Sequence, residues 1–249
     1  MLQALPVITR AGRILADQTN VRWTTDELVG YAKDGVHQII LARPDAYPVT
    51  RAFTLTGGNT KQVVGMTAAA DGFDIGAVGY NPAIRLLRVV RNLGSAGLRP
   101  IREASRVAMD TEISTWHNVP TPGSAYSAQH YTFDDISPHV FYIYPCPPST
   151  PAYQIEIVHS AIPAMGGASL ATSIELGLQD HYINPLVDWV LYRAFSKDAE
   201  YAGNGERAAF HLNAFVQALQ LTELSGKKAS APAAATPLPV GSNWRRTGG

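Results

Sequence analysis

The sequence has a single cysteine, no net charge and no long apolar run. Cys146 is the only cysteine among 249 residues, so no disulfide can form within the chain, which fits a reducing compartment. Its 20 basic residues balance 20 acidic ones, so the overall charge does not predict attraction to nucleic acid. Arg10 and Arg13 interrupt the N-terminal segment, and no apolar run approaches membrane-spanning length. We therefore expect a soluble protein made in the cytosol, without a signal peptide.

Familiar catalytic and metal-binding patterns are also missing. The seven histidines show no H-x-x-x-H or HExxH spacing, and a lone cysteine excludes C-x-x-C, so we predict neither a metal nor a cofactor. Cys146 lies between prolines after a strand-like run, with His139 and His159 nearby in sequence. A small Cys–His hydrolase therefore stays open as a different class of function. Because no helix N-terminus or fixed cation marks an activated thiolate, we expect a plain buried thiol and no enzyme.

The first 44 residues predict two helices. In the segment PVITRAGRILADQ, apolar side chains recur at helical spacing: Val7, Ile8, Ala11, Ile14 and Leu15. The next segment opens with a capping box, in which the Thr24 hydroxyl accepts from the Glu27 N–H while the Glu27 side chain reaches back. Pro44 is expected to end this second helix.

Residues 173–225 predict a second pair of helices. Asn184 is expected as an N-cap before Pro185 at the first helical position. Two apolar stripes follow, separated by a break at GNG, residues 203–205, and the second is expected to end at Gly226. Their members are Leu186, Val187, Val190, Leu191, Ala194 and Phe195, then Ala208, Leu212, Phe215, Val216 and Leu219.

The region between these helices is rich in strand-like runs. The segments VTRAFTL, RLLRVVRN, HVFYIYP and YQIEIVHSAIP are punctuated by glycine and proline clusters, and RPIREASRVAMDTE predicts one short helix. We therefore predict an α+β fold with three parts. Residues 1–44 and 173–225 form one helical bundle, residues 45–172 form a β-rich insertion, and residues 226–249 form an extended C-terminal tail.

A charged stretch in the second helical region has two interpretations. It carries Arg193, Lys197, Asp198, Glu206 and Arg207 within a few helical turns. These residues can form a solvated helix face with pairing along the helix. Alternatively, they form an interface where copies of the chain meet, because Arg193 follows an apolar run. The sequence alone leaves both interpretations open.

The tail is basic and ends with an aromatic residue beside two arginines. Four cations and no acid occur from residue 226 onward, which leaves the rest of the chain acidic by the same amount. Trp and Arg are the residues most enriched in binding hot spots, so we predict a partner-binding segment. Its expected anchors are Leu238, Val240, Trp244, Arg245 and Arg246. A plain disordered end, or a nucleic-acid-binding adaptor with a basic tail, are the alternatives.

The order of the segments resembles that of head-to-tail adaptor proteins of tailed, in particular short-tailed, bacteriophages. The similarity covers residues 7–225 in outline and is carried by ordered motifs. The first is RW-T-D-E-L at residues 22–28, followed by RPDA at residues 43–46. RVVRN, REASRVAMD and FYIYPCPP come next, and the best match is DHYINPLVDWVLYRAFSKDAEYAGNGERAAFHLNAF, residues 180–215.

This resemblance implies a structural virion protein of the neck, made in the host bacterial cytoplasm. Such adaptors assemble as a homo-oligomeric ring, typically of twelve copies, between the portal protein and a tail nozzle, tube or fibre protein. Double-stranded DNA passes through the central channel without specific binding. The resemblance implies ring contacts in the helical bundle and portal docking by the extended tail. A head-closure or tail-terminator protein of a long-tailed phage is the alternative within the structural class.

Overall fold

A computed structural model describes residues 1–64, 83–94, 97–134, 136–165, 174–198, 200–201 and 203–230. Within this part of the chain the fold is α+β, with five α-helices and two sheets. The helices are α1 (Ala4–Ile14), α2 (Thr25–Ala42), α3 (Arg106–Glu112), α4 (Ile183–Lys197) and α5 (Asn204–Ser230). The strands are β1 (Pro48–Thr54), β2 (Lys61–Val63), β3 (Ala83–Leu93), β4 (Arg102–Glu103), β5 (His130–Phe133), β6 (Val140–Tyr144) and β7 (Gln154–Ala161).

The helices from the two ends of the chain share one hydrophobic core. Buried side chains of α1, α2, α4 and α5 form a single cluster, which includes the predicted stripe from Leu186 to Phe195. Backbone hydrogen bonds also join the two ends, because the Leu2 N–H donates to the Leu178 carbonyl at 2.8 Å and the Leu176 N–H donates to that of Leu2 at 2.9 Å. The division into domains at residues 44, 172 and 225 stays a prediction.

The two sheets enclose a second hydrophobic core. In the three-stranded sheet, ordered β1-β7-β3, β7 pairs antiparallel with both neighbours. The four-stranded sheet has the order β2-β6-β5-β4, with only the β4–β5 pair parallel. Buried residues of both sheets pack together, among them Phe53, Leu86, Val89, Phe141, Ile143, Ile155 and Ile157.

The start of α2 confirms half of the predicted capping box. The Thr24 side chain accepts from the Glu27 N–H at 3.4 Å, and α2 ends two residues before Pro44, which opens a short 3-10 turn. The Glu27 carboxylate does not complete the box by reaching back. It accepts hydrogen bonds from Lys197 and Tyr31, because α4 brings a cation within reach of it.

Several expected helix details are wrong. Ile14 is 55% exposed, since α1 ends there and the chain turns away, and Val216 on α5 is 43% exposed. Asn184 lies inside α4, because a 3-10 turn at Asp180–Tyr182 leads directly into the helix; its Oδ1 accepts from the Arg10 Nη1 at 3.2 Å. The helix α5 continues through Gly226 to Ser230, since a glycine inside a helix weakens it without ending it.

Candidate assembly interface

The loop between α1 and α2 is fixed by one carboxylate. Asp17 accepts backbone hydrogen bonds from Val21 at 2.9 Å, Arg22 at 2.8 Å and Trp23 at 3.0 Å. These bonds, that of Trp23 first, lower the pKa of Asp17, because they favour the charged form. The loop therefore presents Arg22 and Trp23 in a defined orientation at the start of α2.

Trp23 connects this loop to α4. Its side chain is 5% exposed, and its indole Nε1–H donates to the Ala194 carbonyl at 3.3 Å. Arg22 lies on the outer side, with its guanidinium 5.0 Å from the centroid of Trp23 and 4.7 Å from that of Tyr201. An aromatic ring stacked with a cation thus covers the end of the helical core.

Three ion pairs join α2 and the loop before it to α4 and Asp198, the residue that follows α4. We call this set the α2–α4 seam. It comprises Arg22 with Asp198 at 2.8 Å, Glu27 with Lys197 at 2.7 Å, and Asp34 with Arg193 at 3.9 Å. Each pair joins residues more than 150 positions apart in the chain, so the seam exists only in the folded protein.

Glu27 is at the centre of the seam. Both of its carboxylate oxygens accept from the Lys197 ammonium, at 2.7 and 2.8 Å, and Oε1 also accepts from the Tyr31 hydroxyl at 2.6 Å. Lys197 is the main cause of the lowered pKa of Glu27. Burial, followed by the hydrogen bond to Glu27, raises the pKa of Tyr31 to about 12. Arg193 completes the cluster, with its guanidinium 5.3 Å from the Tyr31 ring centroid.

The outer face of α5 has a different character. No acidic or basic residue other than His211 occurs from Ala208 to Gln220. The side chains that point away from α4 are small, amide or apolar: Ala209, Phe210, Asn213, Val216, Gln217 and Gln220. Phe210 is 67% exposed. A monomeric protein usually places charge on such a face, so this composition is typical of a surface that meets a partner.

Comparison with known protein families agrees with this picture. The family model described as SU10 adaptor protein matches residues 3–238, which is nearly the whole chain. The chain belongs to the SU10 adaptor protein family. It is therefore a structural adaptor protein of a bacteriophage and a virion component, and it interacts with other virion proteins such as portal and tail proteins. A comparison with curated proteins finds no match.

The family match extends beyond the limits of the sequence resemblance. It begins at residue 3 and ends at residue 238, whereas the resemblance covers residues 7–225. The matched region thus includes residues 226–238 of the tail, and Leu238 is its last residue. Val240, Trp244, Arg245 and Arg246 lie outside the match, and all five tail residues lie outside the described residues.

The structure brings together most of the predicted ring residues of this SU10 adaptor. Arg193, Lys197 and Asp198 lie in the α2–α4 seam, and the Arg207 guanidinium is 5.7 Å from the ring centroid of Phe195. Glu206 is exposed at the first turn of α5. Arg193, Lys197, Asp198 and Arg207 each contact a residue on another segment of the fold, whereas a solvated helix face would pair them along one helix. A role in contacts between copies stays a prediction.

Sequence reasoning missed the residues that hold the seam together. Asp17, Tyr31 and Asp34 carry no functional signal of their own in the sequence, and the pattern around Glu27 predicts helix capping. The i, i+4 spacing of Glu27 and Tyr31 is visible in the sequence. Their link to Lys197 is not, because it depends on how α2 packs against α4.

Cys146 has the environment of an inert thiol. It is 1% exposed, its Sγ donates to the Pro147 carbonyl at 3.7 Å, and burial raises its pKa. A raised pKa keeps the thiol protonated, whereas a nucleophilic cysteine needs a lowered one. His159 lies buried in β7, with Nδ1 3.2 Å from the Ser160 carbonyl oxygen. This environment does not favour the hydrolase alternative.

Two further properties concern the described part of this adaptor. No three His, Cys, Asp or Glu side chains there lie close enough together to hold a metal ion. Within the same residues, none of the helices is long and apolar enough to cross a membrane.

Proposed function

We propose that this SU10 adaptor forms a ring, of twelve copies as is typical of head-to-tail adaptors, that joins the portal to the tail and lines the DNA ejection channel. The family match over residues 3–238 carries the proposal. Within the ring, the four long helices act as a bundle that supports contacts between copies. The β-rich part points towards tail nozzle, tube or fibre proteins.

Two surfaces support ring contacts by the helices. The outer face of α5 combines an exposed aromatic residue with amides and small residues, and interface cores are likewise enriched in aromatics and depleted of charge. The cations of the α2–α4 seam are the second surface. Lys197 is 48% exposed and Arg193 42% exposed, so both can contact a neighbouring copy while their own-chain acids hold them in place.

The tail completes the proposal by docking on the portal. Trp244 acts as the hydrophobic anchor, Arg245 and Arg246 pair with acids around its pocket, and Leu238 and Val240 add smaller apolar contacts. Trp and Arg are the residue types that dominate protein interfaces, which supports these roles. The helix α5 leads towards this segment over 27 residues, a length of about 40 Å.

Electron cryomicroscopy of the full chain mixed with its portal tests the assembly. The expected image is a closed ring of adaptor density beneath the portal, with α5 between neighbouring copies. A matched sample carries Phe210→Asp, which places a charge on the outer face of α5 and should prevent ring formation. Because Phe210 is exposed, the variant should still fold. A Phe210→Asp sample that forms the same ring would remove α5 from the interface, and adaptor density away from the portal would refute the proposed role.

A further inference from the structure

The strand β3 carries an arginine at every third position. Arg85, Arg88 and Arg91 recur in the segment RLLRVVR. In a regular strand, side chains alternate between the two faces, so Arg88 would point to the face opposite Arg85 and Arg91. That opposite face is the one that packs into the hydrophobic core, where an unpaired guanidinium would be very unfavourable.

Irregularities in the pairing of β3 resolve this conflict. The register with β7 shifts three times, between Ala83 and Arg85, between Leu86 and Arg88, and between Val89 and Arg91. As a result the arginines lie opposite alternate residues of β7, namely Ser160, Val158 and Glu156, and directly paired residues project on the same face of a sheet. The three shifts therefore turn a three-residue period into one row of guanidinium groups, while Leu86 and Val89 remain buried.

The row is accessible and strongly positive. Arg85 and Arg88 are exposed and form no ion pair with any residue in the described ranges. Arg91 is 43% exposed and pairs with Glu156. The neighbouring outward positions of β1 and β7 are otherwise uncharged: Pro48, Thr50, Ala52, Thr54, Gln154 and Val158. Ser160, opposite Arg85, is fully buried.

The spacing of the row fits a regular polyanion. Successive arginines are separated by two residues of β7, which corresponds to about 6.8 Å along the strand. This distance is comparable to that between neighbouring phosphates along one strand of a duplex. Guanidinium groups bind phosphate oxygens in a bidentate manner, and contacts to the backbone need no particular base sequence.

We propose that Arg85, Arg88 and Arg91 form a row on the outer face of the three-stranded sheet that binds the phosphate backbone of double-stranded DNA. The choice of duplex DNA among possible polyanions rests on the proposed function. It adds a direct, sequence-independent contact to a protein whose net charge alone predicts none. Such a contact is compatible with passage of DNA, because counterion exchange lets a protein slide along the backbone.

Fluorescence anisotropy with a short labelled duplex of arbitrary sequence tests the row on the full chain. The double variant Arg85→Gln and Arg88→Gln should raise the Kd about tenfold or more at low salt, and should reduce the slope of log K against log salt by about 2. The variant with lysine at both positions should keep the slope and bind more weakly than wild type, because it keeps the charge without the bidentate geometry. Circular dichroism verifies that the variants are folded.

Three controls define what would overturn the inference. The first control carries Arg10→Gln and Arg13→Gln, which remove two cations of α1 and should leave DNA binding unchanged. A loss of affinity equal to that of the row variant would mean that DNA binding depends only on total charge. Gln at Lys227 and Lys228 tests the basic tail, and a loss confined to this variant would place DNA binding there. Absence of DNA binding by wild type at low salt, or equally salt-dependent binding to polyglutamate, would also refute the row. The row variant is expected to bind portal as wild type does. Portal binding therefore tests the proposed function independently of DNA binding.

Discussion

Two glycines of α2 allow the packing between α2 and α4 to be measured. Gly30 and Gly35 both lie in the interior of this helix. A Cβ added at Gly30 meets nothing within 4 Å, whereas one at Gly35 would lie 2.8 Å from Cδ1 of Trp189 and 2.9 Å from Cδ2 of Leu186. The substitutions Gly30→Ala and Gly35→Ala therefore make the same chemical change in two different environments.

The expected energies follow from two terms. Replacing glycine by alanine inside a helix stabilises it by about 1 kcal/mol, and this term is common to both variants. Gly35→Ala also overpacks the contact with α4, which costs about 1–3 kcal/mol because the Trp189 ring cannot simply swing away. Trp189 is itself packed against Tyr192 and Phe215, with ring centroids at 5.3 and 5.0 Å. The two variants should thus differ by about 1–3 kcal/mol, with Gly30→Ala more stable than wild type.

Urea denaturation followed by the helical circular-dichroism signal measures this difference. Replacing Trp189 by Leu in the Gly35→Ala background should recover part of the loss, because the closest ring atoms are removed; a double-mutant cycle gives the coupling. Equal stability of the Gly30→Ala and Gly35→Ala proteins would show that α2 and α4 are not as close at this point as the structure has them.

Two further predictions concern single side chains. The lowered pKa of Glu27 means that its stabilising contact is present above the unfolded-state value, about pH 4.3, and is lost as the pH falls through the lower folded-state value. By urea denaturation, the free energy of unfolding of wild type should therefore exceed that of Glu27→Gln by up to about 1 kcal/mol at neutral pH. The two proteins should be equally stable in strong acid, and a difference that persists there would contradict the prediction. Cys146 should react with a thiol reagent slowly in the native protein and rapidly in denaturant, and fast labelling of the native protein would instead indicate an exposed thiolate. The Cys146→Ser variant should bind portal as wild type does.

Much of the fold is predictable because local signals and tertiary packing agree. The apolar spacing from Leu186 to Phe195 predicts a helix whose buried face is the observed one. The exceptions occur where neighbouring structure overrides a local signal. Asn184 has the sequence context of a cap, but the preceding 3-10 turn moves the helix start ahead of it. Ile14 has helical spacing, but its side chain lies on the exposed side of the last turn of α1, where it is 55% exposed.

The candidate site is predictable only in part. The charged stretch of α4 is visible in the sequence, yet its acids on α2 are about 170 residues away, and the sequence does not indicate which of them meets which cation. In β3, arginine at every third position conflicts with the period of a strand. That conflict is itself a signal of bulges, since it can be relieved only by residues that drop out of the pairing with β7.

The end of the family match bears on where the proposed portal contact of the tail lies. Residues 226–238 lie inside the region that the family model matches, whereas Trp244, Arg245 and Arg246 follow it. A docking segment common to the family would lie in the first stretch. The proposed anchor lies in the second, so two truncated chains separate the possibilities.

A chain ending at residue 238 loses the aromatic anchor and both arginines, and a chain ending at residue 226 also loses the matched residues 227–238. Because hot-spot residues contribute about 2 kcal/mol or more each, the first truncation should already weaken portal binding by at least about 30-fold in a titration against purified portal. Full binding by the longer chain with loss in the shorter one would move the anchor to Leu238 and the residues before it. Full binding by both would refute docking by the tail, because nothing of the proposed segment remains in the shorter chain.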